Sequence, residues 1–392
     1  MTRRLRLTAV AGVLAVSVLT TACAPTTANS TCLLPDYAPA EEALQEMEGQ
    51  VLSQGPQGED PVSADSVQLS EGEIEQVKAK KATAAIVMHY TGDDWTAAQL
   101  NGLETRFEEL GVEIIAVTDA GQDPSKQVSD IENMIARKPD IIISIPTDAV
   151  ATAQAYRKAA QAGIHLVFMD NVPAGFTPGE DYISAVSADN YGNGVVSAHL
   201  MAQALQGKGN IGVIKFGVDF FVTNQRHQGF VDTIKKDYPD IHIIAERGIS
   251  GDDLAGQAQN TANAMLLRYQ DDINGIWGVW DVPTEGIMAA VRSAEREDIK
   301  IATEDLGTNV AIAMAKNSMV AGLGAQRPYD QGVAEATLAA YGLLGKDAPP
   351  YVALGALPVH HDNLLESWED VYHQPAPETV QQSFSECTAP TS

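Results

Sequence analysis

Residues 83–95 read Thr83-Ala84-Ala85-Ile86-Val87-Met88-His89-Tyr90-Thr91-Gly92-Asp93-Asp94-Trp95. Six residues without a charge run into a polar turn, and an amphipathic stretch follows to Leu110. A short unbroken apolar run is the mark of a strand buried on both faces. A strand that passes through a polar turn into a helix is the first half of a β–α unit. The unit then repeats. The pattern predicts strands over Val112–Val117, Asp140–Ile145, His165–Met169 and Ile183–Val186, with helices over Trp95–Leu110, Pro124–Arg137 and Ala149–Ala162 between them. Asp123-Pro124 places a cap before a proline at the first helical position. Ala149, Ala153, Tyr156 and Ala160 recur at helical spacing.

The rhythm restarts further on. Strands are predicted at Ile211–Lys215, Ile241–Ala245, Gly275–Val279, Ile299–Ala302 and Met319–Leu323. The helices between are Asn190–Leu205, Gln225–Tyr238, Leu254–Tyr269 and Pro283–Glu295. Two such runs predict an α/β protein of two doubly wound parallel-sheet lobes in series. The helix Tyr329–Leu344 and the strand after it are expected to return to the first lobe.

Outward of this core the chain has a different texture. Arg3, Arg4 and Arg6 precede an apolar run from Leu7 to Leu19, then Thr20-Thr21-Ala22-Cys23. The run falls short of the ~20 residues that a spanning helix needs, so residues 1–22 read as a secretory signal peptide. Cys23 after Ala22 resembles a bacterial lipobox, with Thr20 where Leu is usual; the alternative is an ordinary signal with an incidental cysteine. Residues 24–31 are small and polar, a spacer. Residues 40–52 suit a short helix, and the Gly-, Pro- and acid-rich stretch 55–70 reads as loop. The chain of 392 residues carries 25 Lys plus Arg against 52 Asp plus Glu. Without residues 1–22, which hold three Arg and no acid, the formal charge is 22 − 52 = −30. Such a surface repels a nucleic-acid backbone and keeps an exported protein soluble. Cys32 and Cys387 are the other two cysteines. Outside the cytoplasm they are expected to pair, tying the two ends together; two free thiols are the alternative.

In open parallel sheets, ligands bind beyond the carboxyl ends of the strands. The residues just after the predicted strands are therefore the candidates: His89, Asp93, Asp94 and Trp95; Pro146, Thr147 and Asp148; Asp170 and Asn171; Asn224, Arg226 and His227; Trp280 and Asp281; Glu304 and Asp305; Gln326 and Arg327. Carboxylates and amides match hydroxyls that both donate and accept, and indoles pack on the C–H face of a sugar ring. A small neutral polyhydroxyl ligand is expected. Asp148 and Asp281 read better as helix caps, and Trp277, inside a strand, as core. His360-His361-Asp362 puts adjacent histidines on opposite faces of a strand and reads as surface. No nucleophile elbow and no phosphate-binding glycine loop is present. Gly192-Asn193-Gly194 is half a dinucleotide fingerprint in the wrong place, and the cysteines are too few for a structural zinc site. No catalytic residue, cofactor or metal is expected.

Five segments together carry a resemblance: Met88 to Trp95, Ile145-Pro146-Thr147-Asp148, Phe168-Met169-Asp170-Asn171, Ser187-Ala188-Asp189-Asn190-Tyr191-Gly192 and Gln225-Arg226-His227-Gln228-Gly229-Phe230. Over Thr83 to Tyr372 the chain resembles the ribose/galactose-type periplasmic sugar-binding proteins of ABC importers, of the type I periplasmic-binding-protein fold. The resemblance implies two lobes that close on a monosaccharide and are joined by three crossovers, near Ser187–Ala188, Gln326–Arg327 and Val352–Leu354. The implied division is a lipid-anchored tether and arm over 23–81, a first lobe over 83–187 and 327–352, a second over 188–326 and 353–372, and a tail over 373–392. Asp93 and Trp95 fall where the family has a polar group and a stacking aromatic. Asp170 matches the aspartate that holds two sugar hydroxyls; Asn171 follows it, where ribose binders often have Arg. Asn224 matches another common Arg position, with Arg226 two places on. Trp280 stands where Asn is usual, and Asp305 and Gln326 match a carboxylate and a hinge glutamine. These departures point away from ribose, to another pentose, a deoxy sugar or a short polyol. The implied protein is a monomer on the outer face of the membrane that delivers its ligand to an ABC permease. A sensory receptor that presents ligand to a membrane kinase is the first alternative, and an exported carbohydrate-active enzyme the second. The lack of a convincing acid pair disfavours the enzyme.

Overall fold

A computed structural model of the chain describes residues 34–317 and 319–388. The expected signal peptide, Cys23 and Cys32 lie outside the described residues, as does the side chain of Cys387. The strands, numbered in chain order, are β1 (Val62–Ser63), β2 (Thr83–Met88), β3 (Glu113–Asp119), β4 (Ile141–Ser144), β5 (His165–Met169), β6 (Ser184–Ala188), β7 (Gly209–Phe216), β8 (Ile241–Ile249), β9 (Gly275–Gly278), β10 (Lys300–Glu304), β11 (Val320–Ala325), β12 (Tyr351–Leu354) and β13 (Leu357–His360). They form two sheets. The first runs β1-β12-β6-β5-β4-β2-β3, parallel throughout. The second runs β13-β11-β10-β9-β7-β8 and is parallel except for β13, which lies antiparallel at its edge.

The apolar runs explain why both sheets are covered on both faces. In β4, Ile141 and Ile143 enter one core with Ile86 and Val167, while Ile142 enters the other with Val87, Leu166 and Phe168. That is the two-residue period of a strand with no wet face. Each such side chain contributes about 1.5–3 kcal/mol on burial. Helix starts follow their caps: Asp123 Oδ1 accepts from the amides of Ser125 and Lys126 at 2.8 and 3.4 Å, and the helix Pro124–Arg137 begins there. In the second lobe the helices Asn190–Ala204 and Phe221–Asp237 cross backbone to backbone. A Cβ on Gly194 would lie 2.1 Å from the Arg226 carbonyl, and one on Gly229 2.1 Å from that of Tyr191. Gly194 therefore serves helix packing. Trp277 is core, stacked 4.9 Å from Phe230, with its indole N–H on Ser197 Oγ at 3.0 Å.

Between the two sheets the described chain crosses three times: at Asp189 after β6, at Gln326–Arg327 after β11, and over residues 355–356 between β12 and β13. The last crossover lies beyond the expected Val352–Leu354. Ala353 still pairs with Ser63 and Ser187 in the first sheet. The terminal segments also differ from expectation. Residues 62–63 form β1 at the first sheet's edge, and the helix Glu71–Lys80 follows on a capping box between Ser70 and Glu73. The C-terminal segment is no tail: Ala376 and, in the helix Glu378–Thr388, Val380 join the second lobe's core, and Phe384 stacks 4.7 Å from His361.

The arm that precedes β1 is laced to both lobes. Its helix Ala38–Glu46 packs Ala40 into the second lobe's core. The chain then passes the first crossover, where Asp189 accepts from the amides of Leu52 (2.7 Å) and Ser53 (2.8 Å) and from Ser53 Oγ (2.7 Å). Gln225 of the second lobe donates to Gln54 O at 2.9 Å, and Gln57 donates to Phe176 O of the first at 2.6 Å.

Candidate functional site

The carboxyl ends of the two sheets face each other across a cleft of about 250 Å³. Of the sequence candidates, His89, Asp93, Trp95 and Asp170 line it from the first lobe, and Arg226, Trp280, Asp305 and Gln326 from the second lobe and the hinge. Asp170 and Asp305 follow β5 and β10, and both have left-handed backbone, φ 54° and 63°. That conformation is uncommon outside glycine and is tolerated by Asp. Here it recurs at the equivalent step of each lobe, and both carboxyls line the cleft.

Two of the residues matched to family ligand positions lie elsewhere. Asn171 is buried behind the wall and donates to Pro146 O at 3.2 Å; the left-handed turn at Asp170 sends the next side chain into the loop. Asn224 is exposed and donates to Asp219 Oδ1 at 2.7 Å. Its helix starts at Phe221, four residues before the expected Gln225. Two helical residues are about 200° apart, so with Arg226 on the cleft Asn224 faces solvent. Others reach the cleft unexpected. Tyr90 donates its hydroxyl to Asp93. Phe216 and Phe220 form an aromatic wall with Trp280, the Phe216 and Trp280 rings edge-on at 5.4 Å. Asp281 is the first residue of its helix, one place after the cap Trp280, and it lines the cleft. Asp148 lines the rim and accepts from the amides of Val150 and Ala151 in a turn; it caps no helix, because the helix expected from Ala149 starts only at Ala153, after Thr152.

Arg226 organises the interior. Its Nη1 lies 2.9 Å from Asp305 Oδ2, and its Nε donates to Asn190 Oδ1 at 2.9 Å. Burial opposes its charge, but Asp305, Glu304 and Asp170 around it hold its pKa above the ordinary value. Gln326 Nε2 donates to the other Asp305 oxygen at 2.7 Å. Burial pushes Asp170 up to about 6, against the Ser187 hydrogen bond (2.7 Å) and the Arg226 charge, which lower it. Behind the wall, burial pushes Glu304 and Glu335 well above the carboxylate range. Burial lowers His89 to about 3, so its ring is neutral. His89 Nδ1, Trp95 Nε1 and Gln326 Oε1 have no protein hydrogen-bond partner, and all three residues line the cleft.

One contact bridges the lobes beside the cleft. Asp94 Oδ2 accepts from the amide (2.7 Å) and hydroxyl (2.8 Å) of Thr308. Thr308 opens the helix Thr308–Ala315, whose cap residue Gly307 offers no side chain. A first-lobe carboxylate thus caps a second-lobe helix.

Among the described residues no group of three His, Cys, Asp or Glu could hold a metal ion, and no helix is long and apolar enough to cross a membrane. The chain is similar to the ribose import binding protein of Haemophilus influenzae, 23% identical over 246 residues, which cover 63% of this chain and 80% of that protein. Among solved structures it is similar to an ABC transporter solute-binding protein from Agrobacterium vitis bound with α-D-tagatopyranose: TM-score 0.67, 25% identity, covering 75% of this chain and 100% of that one. A second from the same organism holds allitol: TM-score 0.65, 25% identity, covering 74% and 98%. The periplasmic binding protein domain, a family of binding proteins and not of enzymes, matches residues 84–347. With that match over well more than half of its length, and with two α/β lobes closing on one cleft, the chain belongs to the periplasmic binding protein domain family.

Proposed function

We propose that the protein is the extracytoplasmic solute receptor of an ABC importer. It binds one monosaccharide or short polyol between its lobes, presents the closed complex to a membrane permease and turns nothing over. The observation that carries this is the convergence, from both lobes, of Asp170, Asp305, Gln326 and an aromatic wall on one cleft. In this reading Asp170 accepts from ligand hydroxyls with its unshared oxygen, Arg226 and Asp305 act as a preformed pair, and Gln326 reports on the hinge. His89 and Asp93 supply polar contacts, and Trp95 and Trp280 pack on the C–H face of the ligand. Asn171 and Asn224, buried behind the wall and exposed to solvent respectively, have no such role. The ligands of the relatives, a ketohexose and a hexitol in the two Agrobacterium structures, support this class.

The same reading makes the mature chain a monomer that begins at a lipidated Cys23 on the outer face of the membrane, with Cys32 and Cys387 joined. Peptide mapping of non-reduced protein tests the bridge: free alkylation of both thiols would exclude it. A thermal-shift screen against monosaccharides and polyols tests the ligand class, because a ligand that binds only the folded state raises its melting temperature. Shifts with amino acids or peptides and none with polyhydroxyl compounds would overturn it, as would turnover of glycosides.

A further inference from the structure

The cleft is lined by six carboxylates, Asp93, Asp148, Asp170, Asp252, Asp281 and Asp305, and by one cation, Arg226. Asp148 and Asp252 are exposed at the rim, where water screens them. Arg226 is already matched: its partner Asp305 has one oxygen on the guanidinium and the other on Gln326. Among the described residues, Asp93, Asp170 and Asp281 are left with no cation in contact.

Asp281 is the sharpest case. It is buried, with 7% of its surface exposed, and among the described residues its carboxylate accepts one hydrogen bond, at Oδ1 from the amide of Val282 at 2.9 Å. Burial, with the charges of Asp305 and Asp93, raises its pKa well above the carboxylate range. A second acceptor on the wall is also unmet: Gln326, 3% exposed, holds an unpartnered Oε1. A metal ion does not answer this charge, since no three ligating side chains converge among the described residues. A hydroxyl answers it poorly, because each one brings an acceptor along with its donor. An ammonium group brings three donors and no acceptor, and aromatic faces such as Trp280, Phe216 and Tyr90 attract it.

Resting on the reading above, we propose that the ligand is a polyhydroxyl compound carrying a protonated amine, an amino sugar or amino polyol, whose ammonium group faces Asp281 and Asp93. The neutral ligand expected from the sequence is the alternative that the test decides.

The test is calorimetry on the full chain with a panel of aldoses, ketoses and polyols, each beside its deoxyamino counterpart, such as D-glucose with D-glucosamine, D-galactose with D-galactosamine and D-sorbitol with 1-amino-1-deoxy-D-sorbitol. The expected result is that the tightest binder is an amine, held at least tenfold more tightly than its neutral parent. Asp281→Asn, which keeps the shape and removes the charge, should weaken that amine at least tenfold and close most of the gap to the parent. Neutral compounds that bind as well as their amines, or that bind when no amine does, overturn the charge assignment and leave the receptor reading standing. A panel in which nothing binds, neutral or aminated, overturns both.

Discussion

Asp94 does not line the cleft, yet replacing it should weaken ligand binding. Its carboxylate takes both the amide and the hydroxyl of Thr308 at 2.7 and 2.8 Å, and so caps a helix in the other lobe that has no cap of its own. That contact exists only while the lobes are together. Loss of a helix cap costs about 0.5–2 kcal/mol, and each 1.4 kcal/mol is about tenfold in affinity. Asp94→Ala removes the contribution from the closed state alone, so the population of the binding-competent form falls by the same factor. The expected outcome is a roughly two- to thirtyfold rise in Kd by titration calorimetry. Asp94→Asn, which keeps one acceptor, should fall between wild type and Ala. Small-angle scattering of the ligand-free Ala variant should give a larger radius of gyration than wild type. An affinity within twofold of wild type would show that the contact does not discriminate between open and closed forms, and the reasoning would fail.

Asp170→Ala should weaken binding by on the order of 2 kcal/mol or more, because ligand hydroxyls lose a charged acceptor in a closed site; calorimetry reads the loss, and unchanged affinity would place the site elsewhere. The pH dependence of stability has a definite sign. Asp170 holds its proton to about 6 in the fold against an ordinary 3.8, so the native state binds more protons than the unfolded chain between those values. Ligand-free stability should therefore fall as pH rises from 4 to 6, by on the order of 3 kcal/mol from this group, and denaturant titrations of Asp170→Asn should show a flatter profile there. Gly194→Ala puts a Cβ 2.1 Å from the Arg226 carbonyl and should cost about 1–3 kcal/mol in thermal unfolding.

Legibility in the sequence followed physical cause. The strand Thr83–Met88 and the helix Pro124–Arg137 start and stop where the apolar run and the Asp-Pro cap say they should, because local chemistry alone decides them. The cleft positions of Asp170 and Asp305 were legible because the carboxyl ends of parallel strands open on the cleft. Asn171 was not: whether the following residue faces the ligand depends on a left-handed turn that leaves no separate mark in the composition. Asn224 was misplaced through a four-residue error in a helix start, since Phe220-Phe221 carries no cap signal. Asp281 read as a cap because a cap and a cleft carboxylate occupy neighbouring places after a strand. The strand Val62–Ser63 is too short for any periodicity, and it exists only because β12 offers an edge.

The arm that crosses from Ala40 in the second lobe, past Asp189, to β1 in the first has a mechanical consequence. Its central bonds are made at the pivot, the part of a two-lobed clamp that travels least when the jaws swing. The head of the arm is the helix Ala38–Glu46, seated on the second lobe. A pull applied ahead of that helix therefore loads one jaw first, and the bonds at Asp189 stand between it and β1 on the other.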